Sequence, residues 1–152
     1  MLNLPAPDFT LYNTQKEQIS LSSLKGQKVI LLFIPAAFSS TCTREFCLVR
    51  DELTYYNDLN AKVFGISTDS VWSLEAYKKE QRLNFELLSD YNKEVCRLYD
   101  VLNEEFAFGM KGVAKRSAFV IDEDGIIRYE EIVTVRDTLP DFDKIKSVIA
   151  SK

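Results

Sequence analysis

The fold is decided by one stretch of sequence, KVILLFIPAAFSSTC at residues 28–42. Its apolar first half, residues 28–34, predicts a buried central strand. The residues from 42 to 59 predict a helix, because apolar side chains recur there at helical spacing. These apolar side chains are Phe46, Val49, Leu53 and Tyr56. Cys42 is therefore expected in the first turn of a helix that directly follows a strand.

A cysteine at that position is expected to be reactive. The first turn of a helix presents unpaired backbone N–H groups and the positive end of the helix dipole, and both favour an anion. The thiolate is the nucleophilic form of cysteine, and such surroundings promote it. We therefore interpret Cys42 as a reactive cysteine rather than one that only packs in the core.

The composition limits the classes of protein that the chain can belong to. Its 152 residues are 46% hydrophobic and 28% charged, which is typical of one globular domain, here spanning 1–152. The net charge of −4 argues against a nucleic-acid or anionic-membrane partner. The N-terminus has no signal-peptide pattern, and no apolar run approaches the ~20 residues of a membrane span. We expect a cytoplasmic protein whose thiols stay reduced.

The absence of histidine excludes more than any other compositional feature. A Cys–His hydrolase needs an imidazole as its general base, so that class is excluded. Three cysteines without histidine cannot supply the four ligands of a structural zinc site, and no metal or other cofactor is expected. An odd number of cysteines also fits catalysis better than a disulfide framework.

The rest of the chain predicts strands that alternate with helices. Further strands are expected at residues 8–12, 18–21, 61–67, 85–88, 117–121 and 126–132. Further helices are expected at 70–82, with Leu74, Tyr77 and Trp72 facing inward, at 92–99, capped by Asn92, and at 140–150, with Phe142, Ile145 and Val148 on one stripe. Residues 101–115 show no period and are interpreted as a loop.

The sequence DEDG at 122–125, between two apolar runs, predicts an antiparallel hairpin near the end of the chain. Together with the alternating strands and helices, it predicts a mixed central sheet with helices on both faces. The expected fold is a three-layer α/β sandwich of the thioredoxin type.

Several residues match one family pattern in register. The pattern is Pro-x3-(Thr/Ser)-x2-Cys, present here as Pro35, Ser39 and Cys42, with Glu45 three residues later and Arg116 just before a late strand. Over nearly its whole length the chain resembles the peroxiredoxins. Within that family it is most similar to the bacterioferritin comigratory protein group and the neighbouring alkyl hydroperoxide reductase E group. The resemblance implies a thiol-dependent peroxidase acting on hydrogen peroxide and organic hydroperoxides.

The resemblance also implies a role for each matched residue. The thiolate of Cys42 attacks one peroxide oxygen and becomes a sulfenic acid. Ser39 hydrogen-bonds the thiolate and then the peroxide, and Arg116 stabilises the thiolate and the charge that moves onto the leaving oxygen. Pro35 shapes the loop and shields the sulfur from water. Glu45 orients an arginine rather than transferring a proton.

Cys47 has two interpretations that the sequence leaves open. Its spacing from Cys42 resembles that of the resolving cysteine in part of the bacterioferritin comigratory protein group. Five residues of helix rise about 7.5 Å and turn about 140°, so a Cys42–Cys47 disulfide requires local unwinding. Alternatively, Cys47 is a buried core residue, as Cys96 is expected to be. An external thiol would then reduce Cys42 directly.

The expected partners are a peroxide and a small thiol reductant such as thioredoxin or glutaredoxin. The protein is expected to be a monomer or a homodimer, in which Phe38 either forms a dimer contact or covers the pocket. A dithiol oxidoreductase would need Cys-x-x-Cys, and position 45 is Glu. A peroxide-responsive sensor or chaperone-like protein would use the same cysteine. We favour the enzyme, because Ser39 and Arg116 serve leaving-group chemistry that repeated turnover requires.

Overall fold

The computed structural model describes residues 1–151 and confirms the expected mixed α/β sandwich. Its strands are β1 (Thr10–Asn13), β2 (Gln18–Ser20), β3 (Lys28–Phe33), β4 (Ala61–Ser67), β5 (Glu86–Ser89), β6 (Leu102–Asn103), β7 (Val113–Ala114), β8 (Ser117–Ile121) and β9 (Ile127–Ile132). Its α-helices are α1 (Ser40–Asp51), α2 (Leu53–Asp58), α3 (Val71–Glu80), α4 (Glu94–Leu98) and α5 (Phe142–Ala150). Short 3₁₀ turns at Leu21–Leu24 and Ala107–Gly109 complete the elements.

Seven strands form the main sheet, in the order β2-β1-β5-β4-β3-β8-β9. The central strands β3, β4 and β5 are parallel, whereas β8 runs antiparallel to β3. Parallel strands end at the same edge of a sheet, and an antiparallel neighbour begins at that edge. The end of β3 and the start of β8 therefore lie side by side, with Phe33 paired to Ser117.

Two hydrophobic cores lie on opposite faces of this sheet. Alternate residues of β3 point to opposite faces, as strand geometry requires. Ile30 and Leu32 join one core with the buried side chains of α1, α2, α3 and α5. Leu31 and Phe33 join the other core, which α4 and the N-terminal segment cover. Cys42 belongs to the first of these cores.

The helix expected at 42–59 begins at Ser40 and is divided at Glu52. Glu52 has φ −112° and ψ 13°, so its backbone leaves the helical region between α1 and α2. Its N–H bonds to the carbonyl of Val49, which closes α1. The apolar period continues across the break, because Val49 and Tyr56 are both buried against the same core. A periodicity of buried residues therefore could not reveal the interruption.

Two expectations about the later helices were wrong. Trp72 is 71% exposed, because two residues of helix separate it from Leu74 by about 200° and place it on the outer face. Asn92 does not cap α4. Lys93 occupies the capping position with φ 65°, and the carboxylate of Asp90 accepts hydrogen bonds from the first free N–H groups, those of Val95 and Cys96.

The region 101–115 contains more structure than the expected loop. Strands β6 and β7 pair as a two-stranded antiparallel sheet, and each strand is too short to produce a sequence period.

The hairpin of β8 and β9, expected near the end of the chain, is confirmed. In α5 the fully buried partner of Ile145 is Ile149, whereas Val148 is half-buried. No helix within residues 1–151 is both long and apolar enough to cross a membrane.

Candidate active site

The end of β3 positions the segment that carries Cys42. The N–H of Ile34 bonds to the carbonyl of Ile66 at 2.9 Å, so the sheet pairing continues one residue beyond β3. Residues 35–39 then form a loop, and α1 begins at Ser40. Cys42 is the third residue of α1, as the sequence predicted for a first-turn position, and its side chain is 0% exposed.

Contacts with the segment after β4 hold the loop in place. The N–H of Ala37 donates to Asp69 Oδ2 at 2.8 Å, and the hydroxyl of Ser67 donates to the same oxygen at 2.8 Å. Phe38 has φ 70°, a left-handed conformation that is uncommon for a bulky residue. Its ring lies 5.0 Å from the ring of Tyr77, and the side chain is half exposed. Pro35 is buried at the start of the loop.

Arg116 contacts Cys42 directly. It immediately precedes β8, so the antiparallel pairing of β8 with β3 places it beside the start of α1. Its Nη2 donates to Cys42 Sγ at 3.2 Å, and its Nη1 donates to Glu45 Oε1 at 2.8 Å. One planar guanidinium therefore bridges the sulfur and the carboxylate, an arrangement that the compact ammonium group of lysine could not reproduce.

Glu45 lies one turn after Cys42 and is fully buried. Its second oxygen, Oε2, has no hydrogen-bond partner among the described residues. Burial raises the pKa of Glu45 to about 7, and the opposing effect of the Arg116 guanidinium is too small to cancel it. The expected contact between Glu45 and an arginine is present, with Arg116 as the partner.

Ser39 differs from its expected contact. Its hydroxyl donates to the carbonyl of Ala36 at 3.0 Å, within the loop, and no Ser39–Cys42 hydrogen bond occurs among the described residues. A hydroxyl has one proton and two lone pairs, so this bond leaves the oxygen free to accept. The sequence pattern placed Ser39 in the right loop but could not specify the orientation of its hydroxyl.

Two residues outside α1 that sequence analysis did not assign to the site, Asp137 and Tyr77, hold the first turn of this helix. Asp137 Oδ1 accepts a hydrogen bond from Thr41 Oγ1 at 3.0 Å, and the carbonyl of Asp137 accepts one from Arg44 at 2.9 Å. On the other side, the hydroxyls of Thr43 and Tyr77 are 3.0 Å apart. Asp69 holds the preceding loop, as described above. Tyr77 was predicted only as a core residue.

The other two cysteines occupy different environments. Cys47 is half-buried, and its thiol donates to Gln81 Oε1 at 3.7 Å, so it lies beside α3 rather than inside either core. Cys96 is completely buried, as expected, and burial raises the pKa of its thiol. All three cysteines are free thiols. Within the described part of the chain, no group of three or more Cys, Asp or Glu side chains is arranged to hold a metal ion.

Comparison with known proteins identifies the family of the chain. Residues 2–130 match the AhpC/TSA family, and the chain belongs to that family. It is 42% identical over 124 residues to a Coxiella burnetii protein assigned to the peroxiredoxins as bcp, a match that covers 80% of this chain and 82% of the relative. It is 36% identical over 126 residues to peroxiredoxin Bcp of Escherichia coli K12, covering 82% of this chain and 80% of that one.

Solved structures show the same similarity in three dimensions. Peroxidoxin BcpB from Mycobacterium tuberculosis superposes with a TM-score of 0.86 at 27% identity, covering 99% of this chain and 97% of that one. The bacterioferritin comigratory protein of Xanthomonas campestris superposes with a TM-score of 0.83 at 25% identity, covering 99% and 96%. These relatives, together with the family match, make the chain a thiol-dependent peroxidase of the peroxiredoxin class.

Proposed function

We propose that Cys42 is the peroxidatic cysteine and that it reduces hydrogen peroxide and organic hydroperoxides through a sulfenic acid. The observation that carries this proposal is the hydrogen bond of 3.2 Å from Arg116 Nη2 to Cys42 Sγ. A fixed positive charge beside the sulfur stabilises the thiolate, which is the nucleophile. Cys47 and Cys96 have no comparable bond from a guanidinium among the described residues, so the chemistry is assigned to Cys42.

The reaction converts one thiolate and one peroxide into a sulfenic acid and an alcohol or water. Cys42 Sγ attacks one peroxide oxygen, an S–O bond forms, and the O–O bond breaks. The leaving oxygen takes the electron pair and gains a proton from solvent. Negative charge thus moves from the sulfur onto that oxygen, and Arg116 is close enough to stabilise it in both places.

Ser39 and Pro35 define the space in which the peroxide binds. Because the Ser39 hydroxyl donates to Ala36, its oxygen is available to accept the O–H of an incoming peroxide. Pro35 is buried and has no N–H, so it adds apolar surface without an unpaired donor. Cys42 has no exposed surface, so we infer that peroxide reaches the sulfur by a small movement of the 35–39 loop.

Glu45 keeps the guanidinium of Arg116 in place. The ion pair at 2.8 Å lies almost entirely out of solvent, where a charged hydrogen bond fixes geometry strongly. Because Glu45 holds Nη1 of the guanidinium, Nη2 stays directed at Cys42. Glu45 is therefore proposed as a positioning residue and not as a proton donor.

Cys47 is proposed as the resolving cysteine. Its thiol attacks Cys42 sulfenic acid, an S–S bond forms, and the sulfenic oxygen leaves as water. Both cysteines lie within the single helix α1, where five residues rise about 7.5 Å, so the helix must unwind locally before the sulfurs can bond. The half-buried position of Cys47 supports this role, because little packing opposes its release.

Thioredoxin, glutaredoxin or a similar small dithiol protein is proposed to reduce the disulfide. The related Xanthomonas campestris protein is described in terms of alkyl peroxide reduction, which supports organic hydroperoxides as substrates. The protein is proposed to act as a monomer or a homodimer, with the exposed ring of Phe38 available for a contact between copies. Analytical ultracentrifugation over a range of protein concentrations separates these two states.

Stopped-flow peroxide reduction tests the assignment. Cys42→Ser is expected to abolish peroxide consumption, and Arg116→Met is expected to slow the first step by about 10²–10³-fold. Cys47→Ser is expected to react with peroxide at the wild-type rate but to form no internal disulfide. Cys96→Ala serves as the control and is expected to retain all steps.

The outcomes that oppose the proposal are specific. Peroxide consumption by Cys42→Ser would remove Cys42 from its role. Unchanged turnover in Cys47→Ser with a dithiol protein donor would indicate a one-cysteine cycle. A single round of oxidation without sustained turnover in the wild type would favour a peroxide-responsive sensor.

A further inference from the structure

Asp137 connects the segment between β9 and α5 to the first turn of α1. Its Oδ1 accepts a hydrogen bond from Thr41 Oγ1 at 3.0 Å, and its backbone carbonyl accepts one from Arg44 at 2.9 Å. Asp137 is exposed and has φ 59°, so its backbone adopts a left-handed turn that directs both acceptors toward α1. Thr41 is buried and immediately precedes Cys42.

These two hydrogen bonds hold the part of α1 that must open for the second chemical step. A Cys42–Cys47 disulfide cannot form while the helix between the two residues is intact. Thr41 and Arg44 flank Cys42 within the same turn, so unwinding around Cys42 separates both from Asp137. Every bond that exists only in the closed helix lowers the population of the open form.

We propose that Asp137 is a positioning residue for the resolving step, and that it sets how quickly Cys42 sulfenic acid is captured by Cys47. This proposal rests on the proposed function of Cys47. Asp137 acts through Thr41 and has no hydrogen bond to Cys42, Arg116 or Glu45 among the described residues. The first step, attack on peroxide, uses the closed helix and is independent of Asp137.

Two reactions compete for the sulfenic acid. In the open helix, Cys47 sulfur displaces the sulfenic oxygen as water and gives the disulfide. In the closed helix, a second peroxide transfers one oxygen to the sulfenic sulfur, which gives a sulfinic acid and releases water or an alcohol. A tighter Asp137 contact therefore favours the sulfinic acid, and a weaker one favours the disulfide.

Four variants isolate the contact. Thr41→Val removes the donor hydroxyl and keeps the shape of the side chain, and Asp137→Ala removes the side-chain acceptor. Asp137→Asn retains an acceptor oxygen and tolerates the left-handed backbone, so it is the conservative rescue. Thr138→Ala is the matched control, because the Thr138 hydroxyl bonds only within its own segment, to the carbonyl of Arg136. Rapid quenching with a thiol-alkylating reagent, followed by mass spectrometry, measures each form of Cys42.

Thr41→Val and Asp137→Ala are each expected to form the disulfide about fivefold faster than the wild type, which is the typical effect of losing one hydrogen bond. The sulfinic acid formed at excess peroxide should decrease by a similar factor. The rate of the first peroxide reaction should stay within twofold in both variants. Asp137→Asn and Thr138→Ala should behave as the wild type, and the double variant should be no faster than either single variant.

Other results overturn the proposal. If Thr41→Val forms the disulfide at the wild-type rate, the hydrogen bond between Thr41 and Asp137 has no role in resolution, whatever the behaviour of Asp137→Ala. Acceleration in Asp137→Asn equal to that in Asp137→Ala would attribute the effect to the negative charge of the carboxylate and not to its hydrogen bond with Thr41. If the wild type forms no Cys42–Cys47 disulfide and Cys47→Ser turns over normally, the proposed function of Cys47 fails, which is a distinct result.

Discussion

At the scale of single residues, the site depends on one guanidinium shared between a sulfur and a carboxylate. Arg116 donates to Cys42 at 3.2 Å and to Glu45 at 2.8 Å, and both acceptors are completely buried. A chain without histidine depends on a lysine, an arginine or a helix N-terminus to stabilise a thiolate. Within residues 1–151, Oε2 of Glu45 has no hydrogen-bond partner, and a buried carboxylate oxygen without a donor lowers stability.

Glu45 gives a prediction about pH. Burial raises the pKa of Glu45 from 4.5 to about 7, so between these pH values the folded protein binds a proton that the unfolded chain has lost. The contribution of Glu45 to stability is therefore greatest below about pH 4.5 and falls as the pH rises to about 7. Glu45→Gln removes this titration. In urea unfolding, the free energy of unfolding of Glu45→Gln should increase relative to that of the wild type by up to about 3 kcal/mol over this pH interval.

Glu86→Gln is the matched control for this measurement. Burial tends to raise the pKa of Glu86, but hydrogen bonds from Asn13 and Lys62 lower it below its ordinary value. The ionised form of Glu86 therefore stabilises the protein at pH values above its ordinary pKa. This contribution is lost when the carboxylate is protonated in acid. Glu86→Gln should lose stability relative to the wild type as the pH rises, the opposite sign to Glu45→Gln. Parallel pH curves for wild type and Glu45→Gln would contradict the assigned pKa.

At the scale of elements, α1 lies close against β4 because Gly65 has no side chain. A β-carbon built at Gly65 would lie 2.5 Å from the ring of Phe46 and 2.8 Å from Leu87. Phe46 follows Cys42 by one turn of α1 and is fully buried. The distance between the helix and the sheet, and with it the position of Cys42 beside Arg116, therefore depends on a glycine in a neighbouring strand.

Gly65→Ala is expected to destabilise the protein by about 1–3 kcal/mol, because the added methyl group overlaps Phe46 and Leu87. The helix should also shift away from β4, which lowers the rate of peroxide reduction. Urea denaturation and stopped-flow kinetics measure the two effects. The double variant Gly65→Ala/Phe46→Leu should recover part of the stability, because the smaller side chain relieves one of the two overlaps.

Gly109→Ala provides the comparison for this variant. Gly109 has φ 73° and no atom within 4 Å of a built β-carbon, so alanine there introduces backbone strain without overlap. A loss of about 1 kcal/mol, with unchanged peroxide kinetics, is expected. Unchanged stability of Gly65→Ala would contradict the tight packing of α1 on the sheet.

At the scale of the whole molecule, α5 completes the core on which α1 packs. The helix lies beyond residues 2–130, the part of the chain that matches the family. Ile145 and Ile149 are fully buried in the same core as Cys42. Lys28 Nζ donates to the carbonyl of Ile149 at 2.7 Å, so the last turn of α5 is fixed to the start of β3.

Ile145→Ala is expected to lower the free energy of unfolding by about 2–4 kcal/mol, because it leaves a cavity beneath the sheet. Thermal and urea unfolding measure the loss. Peroxide reduction in the folded variant should remain within about twofold of the wild type, because α5 does not contact Arg116 or Glu45 through any hydrogen bond in the described chain. Lys144→Ala, at an exposed position of the same helix, should change stability by less than about 0.5 kcal/mol. An equal loss in both variants would contradict the assigned packing.

The sequence by itself determined most of the elements and singled out Cys42 as the sulfur proposed to react. The apolar run at 28–34, the helical period after Cys42 and the turn at 122–125 are local patterns, and the structure has β3, the two helices α1 and α2, and the β8–β9 hairpin at these positions. Cys42 follows from its place between strand and helix, and Pro35, Ser39, Glu45 and Arg116 follow from the family pattern. The sequence shows such patterns because the apolar residues whose spacing identifies a strand or a helix lie close together in the chain.

Only the tertiary structure decided which side chains meet. Arg116 and Cys42 are 74 residues apart and are joined by the pairing of β8 with β3. Asp137 lies outside any regular element, so no period indicated its contact with Thr41. The orientation of the Ser39 hydroxyl and the exposure of Trp72 likewise depend on neighbours from other segments. A hydrogen bond needs its two atoms within about 3 Å, and between distant segments only the packing of the sheet and helices fixes that distance.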